Sequence, residues 1–439
     1  MFVESRCGLE VRISGGGDLV SPGVEKRWES GAHLRRFAEG RHESFVLDSP
    51  TAEGLESLAL QPGTASLEWM SGPRLFGSIP PGDEGPWSAG FLDGARQTLT
   101  GWLESLRSRL SGTGVILSAG AELIVSSQEI LVIATDRDPA RDTRSFMDAT
   151  ITIRVERAGT IRRLEETRAA ASLEDLAGLI RRTADSLSGR ALSALEAVAA
   201  PSGEMPVIFE SPSGGYLLHE ICGHLLEADH VLGGASPFLG ARGEAIASPI
   251  LDMADDGSIP GLRGSTLFDD EGVAARRTPL VIKGTLVGYL SDRLTAFATD
   301  GISTGNGRRQ SYRDAPMPRM TNLVIDPGQE TFESILRMTP GGLLVKRLGR
   351  GIVDPASGRF ALSVEEGFTI EEGAVGRPVS GAVLRGVAAD TLHRIDAVGC
   401  DPLADTSGPL CLKDGQAIPF GILQPTLRVS SMTVSGPEP

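Results

Sequence analysis

The sequence predicts an α+β protein: a mixed α/β N-terminal domain, then a β-rich C-terminal domain carrying one functional helix. Three observations predict it. Two long stretches in the first half hold apolar residues at helical spacing, while short apolar or alternating runs, broken by Gly and Pro, surround them and fill the second half. The composition agrees: 55 glycines in 439 residues, with aromatics at 5%, suit a turn-rich chain.

The first helix is expected over Gly90 to Leu110. Phe91, Leu92, Leu99, Trp102, Leu103, Leu106 and Leu110 draw one stripe, and Ser111-Gly112 offers a stop. Short strand-like runs follow at Val115–Leu117, Leu123–Val125 and Ile130–Ala134, and Thr150 to Val155 alternates with period two. A second helix starts at Ser172, with Asp175 completing a capping pattern. It presents Leu173, Leu176, Leu179, Ile180 and Leu187, is weakened by Gly189, resumes at Ala191 and ends before Pro201. Pro201-Ser202-Gly203 reads as a linker, so the division falls at 1–200 and 201–439. Beyond it, Val207–Phe209, Pro279–Ile282, Leu343–Val345 and Leu423–Val429 read as strands. No internal repeat is evident.

The net charge of −15 repels phosphate backbones and argues against nucleic-acid binding. Arg308-Arg309 is the candidate for a local basic patch, read as a solvated loop. Cys7, Cys222, Cys400 and Cys411 show no CxxC spacing and no disulfide density. Met1 to Glu10 carries Glu4, Arg6 and Glu10 and has no apolar signal core, and no apolar run is long enough to span a bilayer. The expected location is the cytoplasm.

The chemistry concentrates at His219-Glu220-Ile221-Cys222-Gly223-His224. Neutral imidazoles ligate zinc well, and an adjacent carboxylate can activate water. The spacing is HExxxH, one residue longer than the familiar HExxH. On a regular α-helix, residues five apart are rotated by roughly 140°, so the rings converge only through a π-bulge or an early helix end. Gly223 eases either distortion. A hydrogen-bonded pair at a helix end is the bland alternative. A catalytic metal site also needs a third ligand, for which His230, Glu227, Asp229 and a distant cysteine all qualify by type.

The chain resembles the TldD/PmbA family of metallopeptidases, on the TldD side. The resemblance rests on the HExxxH segment with glycine before its second histidine, and on blocks in matching order. These are Asp269–Gly272, Gly288–Arg293, Ser311–Arg313 leading to Pro318–Asn322, Cys411–Gln416 and Gly421–Leu427. It covers residues 205 to 435.

The resemblance implies that His219, His224 and Cys411 hold zinc and that Glu220 is the general base. It implies hydrolysis of amide bonds in unfolded or modified peptides, bound extended along a sheet edge. Gly305–Gly307 and Pro340–Gly342 are turns that can shape such an edge. A homologous TldE-like subunit is the implied partner, with a homodimer as the alternative. Arg308, Arg309 and Tyr312 are candidate contacts to substrate or partner, or loop residues. Leu410 and Leu412 depart from the smaller residues common beside the family's cysteine, and the first half is short. The competing readings are an amide hydrolase specific for one peptide-like metabolite, and a non-catalytic regulatory binding protein.

Overall fold

The computed structural model describes residues 1–16, 18–19, 23–38, 41–48, 89–170 and 172–436. Strands β1 (Phe2–Gly16), β2 (Asp18–Leu19), β3 (Gly23–Ala38), β4 (Arg41–Asp48), β5 (Ile116–Ala134), β6 (Arg137–Arg157) and β7 (Thr160–Ala170) form one antiparallel sheet. Its order is β4-β3-β1-β5-β6-β7, with β2 folded back on β1. Helices α1 (Ala89–Leu110) and α2 (Leu173–Glu196) cover one face.

Both helices follow the predicted stripes. Leu99, Trp102, Leu103 and Leu106 pack with Leu176, Ile180 and Leu187 over Leu123, Val125, Ile151, Ile153 and Val155. Each such side chain, fully buried, contributes about 1.5–3 kcal/mol. The Ser172 hydroxyl accepts from Asp175 N at 3.1 Å and so caps α2. The three runs expected between Val115 and Ala134 are one strand, β5. Alternation persists through its polar residues: Ala119, Ala121, Leu123 and Val125 face the helices. At its far end both faces are covered. Ile130 and Val132 pack with Phe268 and Tyr312, and Leu131 packs with Val3 and Ala32.

After α2 the chain changes sheet. The later strands are β8 (Val198–Ala199), β9 (Gly203–Phe209), β10 (Met253–Asp256), β11 (Arg277–Ile282), β12 (Thr285–Leu286), β13 (Gly307–Arg308), β14 (Met317–Pro318), β15 (Asn322–Ile325), β16 (Gly341–Val353), β17 (Arg359–Glu371), β18 (Ala374–Ser380), β19 (Val383–Val387), β20 (Ile395–Val398), β21 (Leu403–Ala404), β22 (Leu410–Lys413), β23 (Gln416–Pro419), β24 (Gly421–Gln424) and β25 (Leu427–Ser435). One sheet runs β12-β11-β10-β15-β24-β21, and a larger one β16-β9-β25-β19-β17-β18-β8, with β20 on β25. β13–β14 and β22–β23 are separate two-stranded ribbons. Leu423–Val429, expected as one strand, is split: β24 ends at Gln424 and β25 begins at Leu427. Pro425 has no N–H for a ladder, and there the chain passes from the smaller sheet to the larger.

Where the first sheet meets the later strands, polar and charged contacts join the apolar packing around Phe268 and Tyr312. Arg144 Nη1 donates to Asp270 Oδ1 at 2.6 Å, Arg35 Nη1 to Glu271 Oε1 at 2.6 Å, and Tyr312 N to Glu4 Oε2 at 2.7 Å. The expectation of a solvated Arg308-Arg309 loop fails here. Both side chains are buried, because Arg308 donates to Met320 O and the Arg309 guanidinium lies 4.3 Å over the Phe2 ring. Burial pushes both guanidinium pKa values down to about 10. Tyr312 is buried as well. Among the described residues no helix is long and apolar enough to cross a membrane.

Candidate metal centre

The histidine segment changes helix type twice within a few residues. A short helix, α3 (Gly214–Leu218), widens into a π turn at His219–Gly223, with His224 N donating to His219 O. It then tightens to a 3-10 turn, His224–Leu226, and ends as Glu227 turns extended. Both devices that can reconcile the HExxxH spacing are therefore present. The rings of His219 and His224 lie edge to face, with centroids 4.6 Å apart.

The local sequence explains the path. Leu217, Leu218, Ile221, Cys222, Leu225 and Leu226 are all buried in the C-terminal core and anchor the segment. Two glycines let it sit close to its neighbours. A Cβ on Gly215 would lie 2.1 Å from Ile422 Cγ2, and one on Gly223 would lie 2.1 Å from Met320 Sδ. Gly223 thus serves close packing and not only backbone freedom.

Cys411 arrives on the β22–β23 ribbon. Asp414 and Gly415, with φ of 48° and 79°, make the tight two-residue turn that joins these strands. Alternation buries Cys411 and Lys413 and exposes Leu410 and Leu412. Cys411 Sγ is 3.2 Å from His219 Nε2 and 3.0 Å from His224 Nε2, and the three donor atoms all lie within 4.8 Å of one another. Zinc bonds of ordinary length at tetrahedral angles separate N and S by about 3.6 Å, so small movements would admit the ion. Burial alone would raise the Cys411 thiol, but the imidazoles of His219 and His224 hold it well below the ordinary thiol range. The donor set, two imidazoles and a thiol biased towards thiolate, suits zinc.

The two histidines are held differently. His219 stacks on Phe420 with centroids 3.9 Å apart, and its buried Nδ1 has no hydrogen-bond partner among the described residues. His224 Nδ1 meets Glu227 Oε2 at 2.9 Å, an arrangement that fixes tautomer and ring orientation. Glu220 is half-buried beside His219. One turn earlier, the Tyr216 phenol is pushed above its usual range by burial and by the Glu220 charge.

Of the third-ligand candidates, only Cys411 converges with both imidazoles. Glu227, Asp229 and His230 form a separate group, and Lys413 Nζ sits between the two carboxylates. His230 Nδ1 donates to His224 O at 2.9 Å. For Glu227, burial favours the neutral acid, yet the charges of His224 and Lys413 hold its carboxyl well below the usual range. Sequence reasoning missed Lys413 and Arg319. Arg319 is buried and grips the ribbon backbone, donating to Cys411 O and Gln416 O. The available signal was Asp414-Gly415 after an alternating run, which puts Cys411 and Lys413 on one face. The other cysteines stand apart. Cys7 and Cys222 are buried, Cys400 is exposed, and none forms a disulfide. Burial pushes the Cys222 thiol far up, so it stays protonated.

Two imidazoles and a late cysteine meeting across a π turn set among β-sheets define a candidate metal centre, and comparison with known proteins places the chain among metallopeptidases. The model of the PmbA/TldA metallopeptidase C-terminal domain matches residues 202–436. A protein named as a metalloprotease TldD homolog from Haemophilus influenzae is 37% identical over 332 residues, covering 73% of this chain and 68% of that one. A metalloprotease of Methanocaldococcus jannaschii is 38% identical over 232 residues, covering 53% and 51%. The crystal structure of TldE from Thermococcus kodakarensis superposes with a TM-score of 0.73 at 19% identity, over 99% of this chain and 96% of that one; this likeness bears on the fold. The chain belongs to the TldD/PmbA metallopeptidase family.

Proposed function

We propose that this protein is a zinc-dependent peptidase that hydrolyses amide bonds in unfolded or modified peptides. The observation that carries the reading is the approach of Cys411 Sγ to within 3.2 Å of both imidazoles across the π turn. His219 Nε2, His224 Nε2 and Cys411 Sγ would hold the ion. When bound, zinc supplies Lewis acidity, polarising a scissile carbonyl and making water nucleophilic near neutral pH. Glu220, adjacent to His219 and half-buried, takes the proton from the attacking water and delivers it to the leaving amine. Glu227 keeps the His224 ring turned towards Cys411.

The substrate class, a peptide bound in extended form, rests on the family. A TldE-like subunit is the proposed partner, supported by the fold shared with TldE of T. kodakarensis. Cytoplasmic location is supported by the small number of cysteines and the lack of any disulfide between them. The same reading keeps two domains, 1–200 and 201–439, supported by the change of sheet at Val198.

The test is Glu220→Gln, assayed on denatured protein or peptide libraries together with zinc content and melting temperature. Zinc and fold are retained, and hydrolysis falls about 10²–10⁴-fold. Full activity in that variant would show that hydrolysis does not run through this site.

A further inference from the structure

The His224 turn and the Cys411 ribbon are 187 residues apart in sequence, and besides the Cys411–His224 contact an ammonium joins them. Lys413 Nζ donates to Glu227 Oε2 at 2.8 Å, to Asp229 Oδ1 at 2.8 Å and to Pro318 O at 3.2 Å. The same Glu227 oxygen meets His224 Nδ1. The chain of contacts thus runs from one candidate ligand, through a carboxylate and an ammonium, to the strand bearing another.

Burial makes this chain strict. The Glu227 side chain is 0% exposed and that of Lys413 is 4% exposed, whereas Asp229 is 29% exposed. Removing one partner of a buried ion pair leaves the other uncompensated, at a cost well above the pair's net worth. Lys413 lies two residues beyond Cys411 on the same face of β22. A register slip of one residue would turn both away from the imidazoles, and the ion pair opposes it. Arg319 holds the ribbon's backbone at Cys411 O and Gln416 O, whereas Lys413 acts through its own side chain on the buried face.

We propose that Lys413 and Glu227 are positioning residues that form an ionic latch. It seats Cys411 beside the histidines and turns the His224 ring towards it before a metal ion arrives. The ligand of this device is zinc, so the inference rests on the zinc-peptidase reading. Asp229, being partly exposed and screened, assists the latch but does not define it.

The experiment is a chelator-competition titration of zinc on the full chain, for wild type, Lys413→Met, Glu227→Gln, the double variant and Asp229→Asn. Melting of the metal-free proteins is followed in parallel. Each of the first two substitutions raises the zinc dissociation constant about 10–100-fold. The double variant is no worse than either single, because both break one unit. Asp229→Asn changes the constant less than about threefold. Lys413→Met, with a buried carboxylate stripped of its cation, melts below the double variant. If Lys413→Met does not fold, the double variant carries the test, since it leaves neither charge stranded. Wild-type zinc affinity in the double variant, or effects that multiply between the singles, would overturn the latch. His219→Ala is the control: zinc held at wild-type affinity there would overturn the zinc reading itself, a failure distinct from that of the latch.

Discussion

The sheet face beneath α1 and α2 and the floor beneath the two imidazoles are equally buried but chemically opposite. The first is Leu, Ile, Val and Ala with one Met and one Trp, arranged at helical and strand periods. Around the second lie Glu227, Lys413 and Arg319, with Asp255, Asn306, Arg308 and Thr321 nearby in sequence blocks that pack together. Apolar burial is non-directional and tolerates adjustment, so the first region is defined by pattern. Buried charges must meet named partners at hydrogen-bond distance, so the second is defined by individual residues. One region holds the chain folded, and the other fixes where a few donor atoms point.

Substitutions can break that contrast, beginning with the largest effect. Glu220→Gln acts on rate alone, leaving both regions standing. Next in size is Ile151→Ala beneath the helices, which costs about 2–5 kcal/mol of stability by denaturant unfolding. Its zinc affinity, measured by the same chelator titration, stays at the wild-type value. A simultaneous loss of zinc would mean that the two regions are not separable. Gly223→Ala should do the reverse. Its new methyl must displace Met320 Sδ, costing about 1–3 kcal/mol, while zinc binding weakens because the His224 turn shifts. Met320→Ala on that background frees the space and restores zinc binding. Should Gly223→Ala bind zinc as wild type does, close packing against Met320 is not what sets the turn.

The same contrast explains what could be read from the sequence. α1 and α2 were legible because Leu99, Trp102, Leu106, Leu176 and Ile180 obey a helical period. From sequence β5 reads as three pieces because residues 118–122 and 126–129 look like breaks, whereas in the sheet both stretches pair with β6. At the site, His219, Glu220 and His224 were legible from their spacing, and the spacing itself demanded a distortion. Cys411 carries no local mark of a ligand. It was reached only through family resemblance, since the contact spans 187 residues. Lys413, Arg308, Arg309 and Arg319 were misread or missed for one reason. Charged residues default to solvent, and only tertiary partners reveal the exceptions.

The most direct measurement is metal analysis of the purified chain beside His219→Ala. About one zinc ion per chain is expected in the wild type, lost in the variant. Wild-type protein that takes up no zinc, or a His219→Ala protein that holds it equally well, would contradict a centre built from His219, His224 and Cys411.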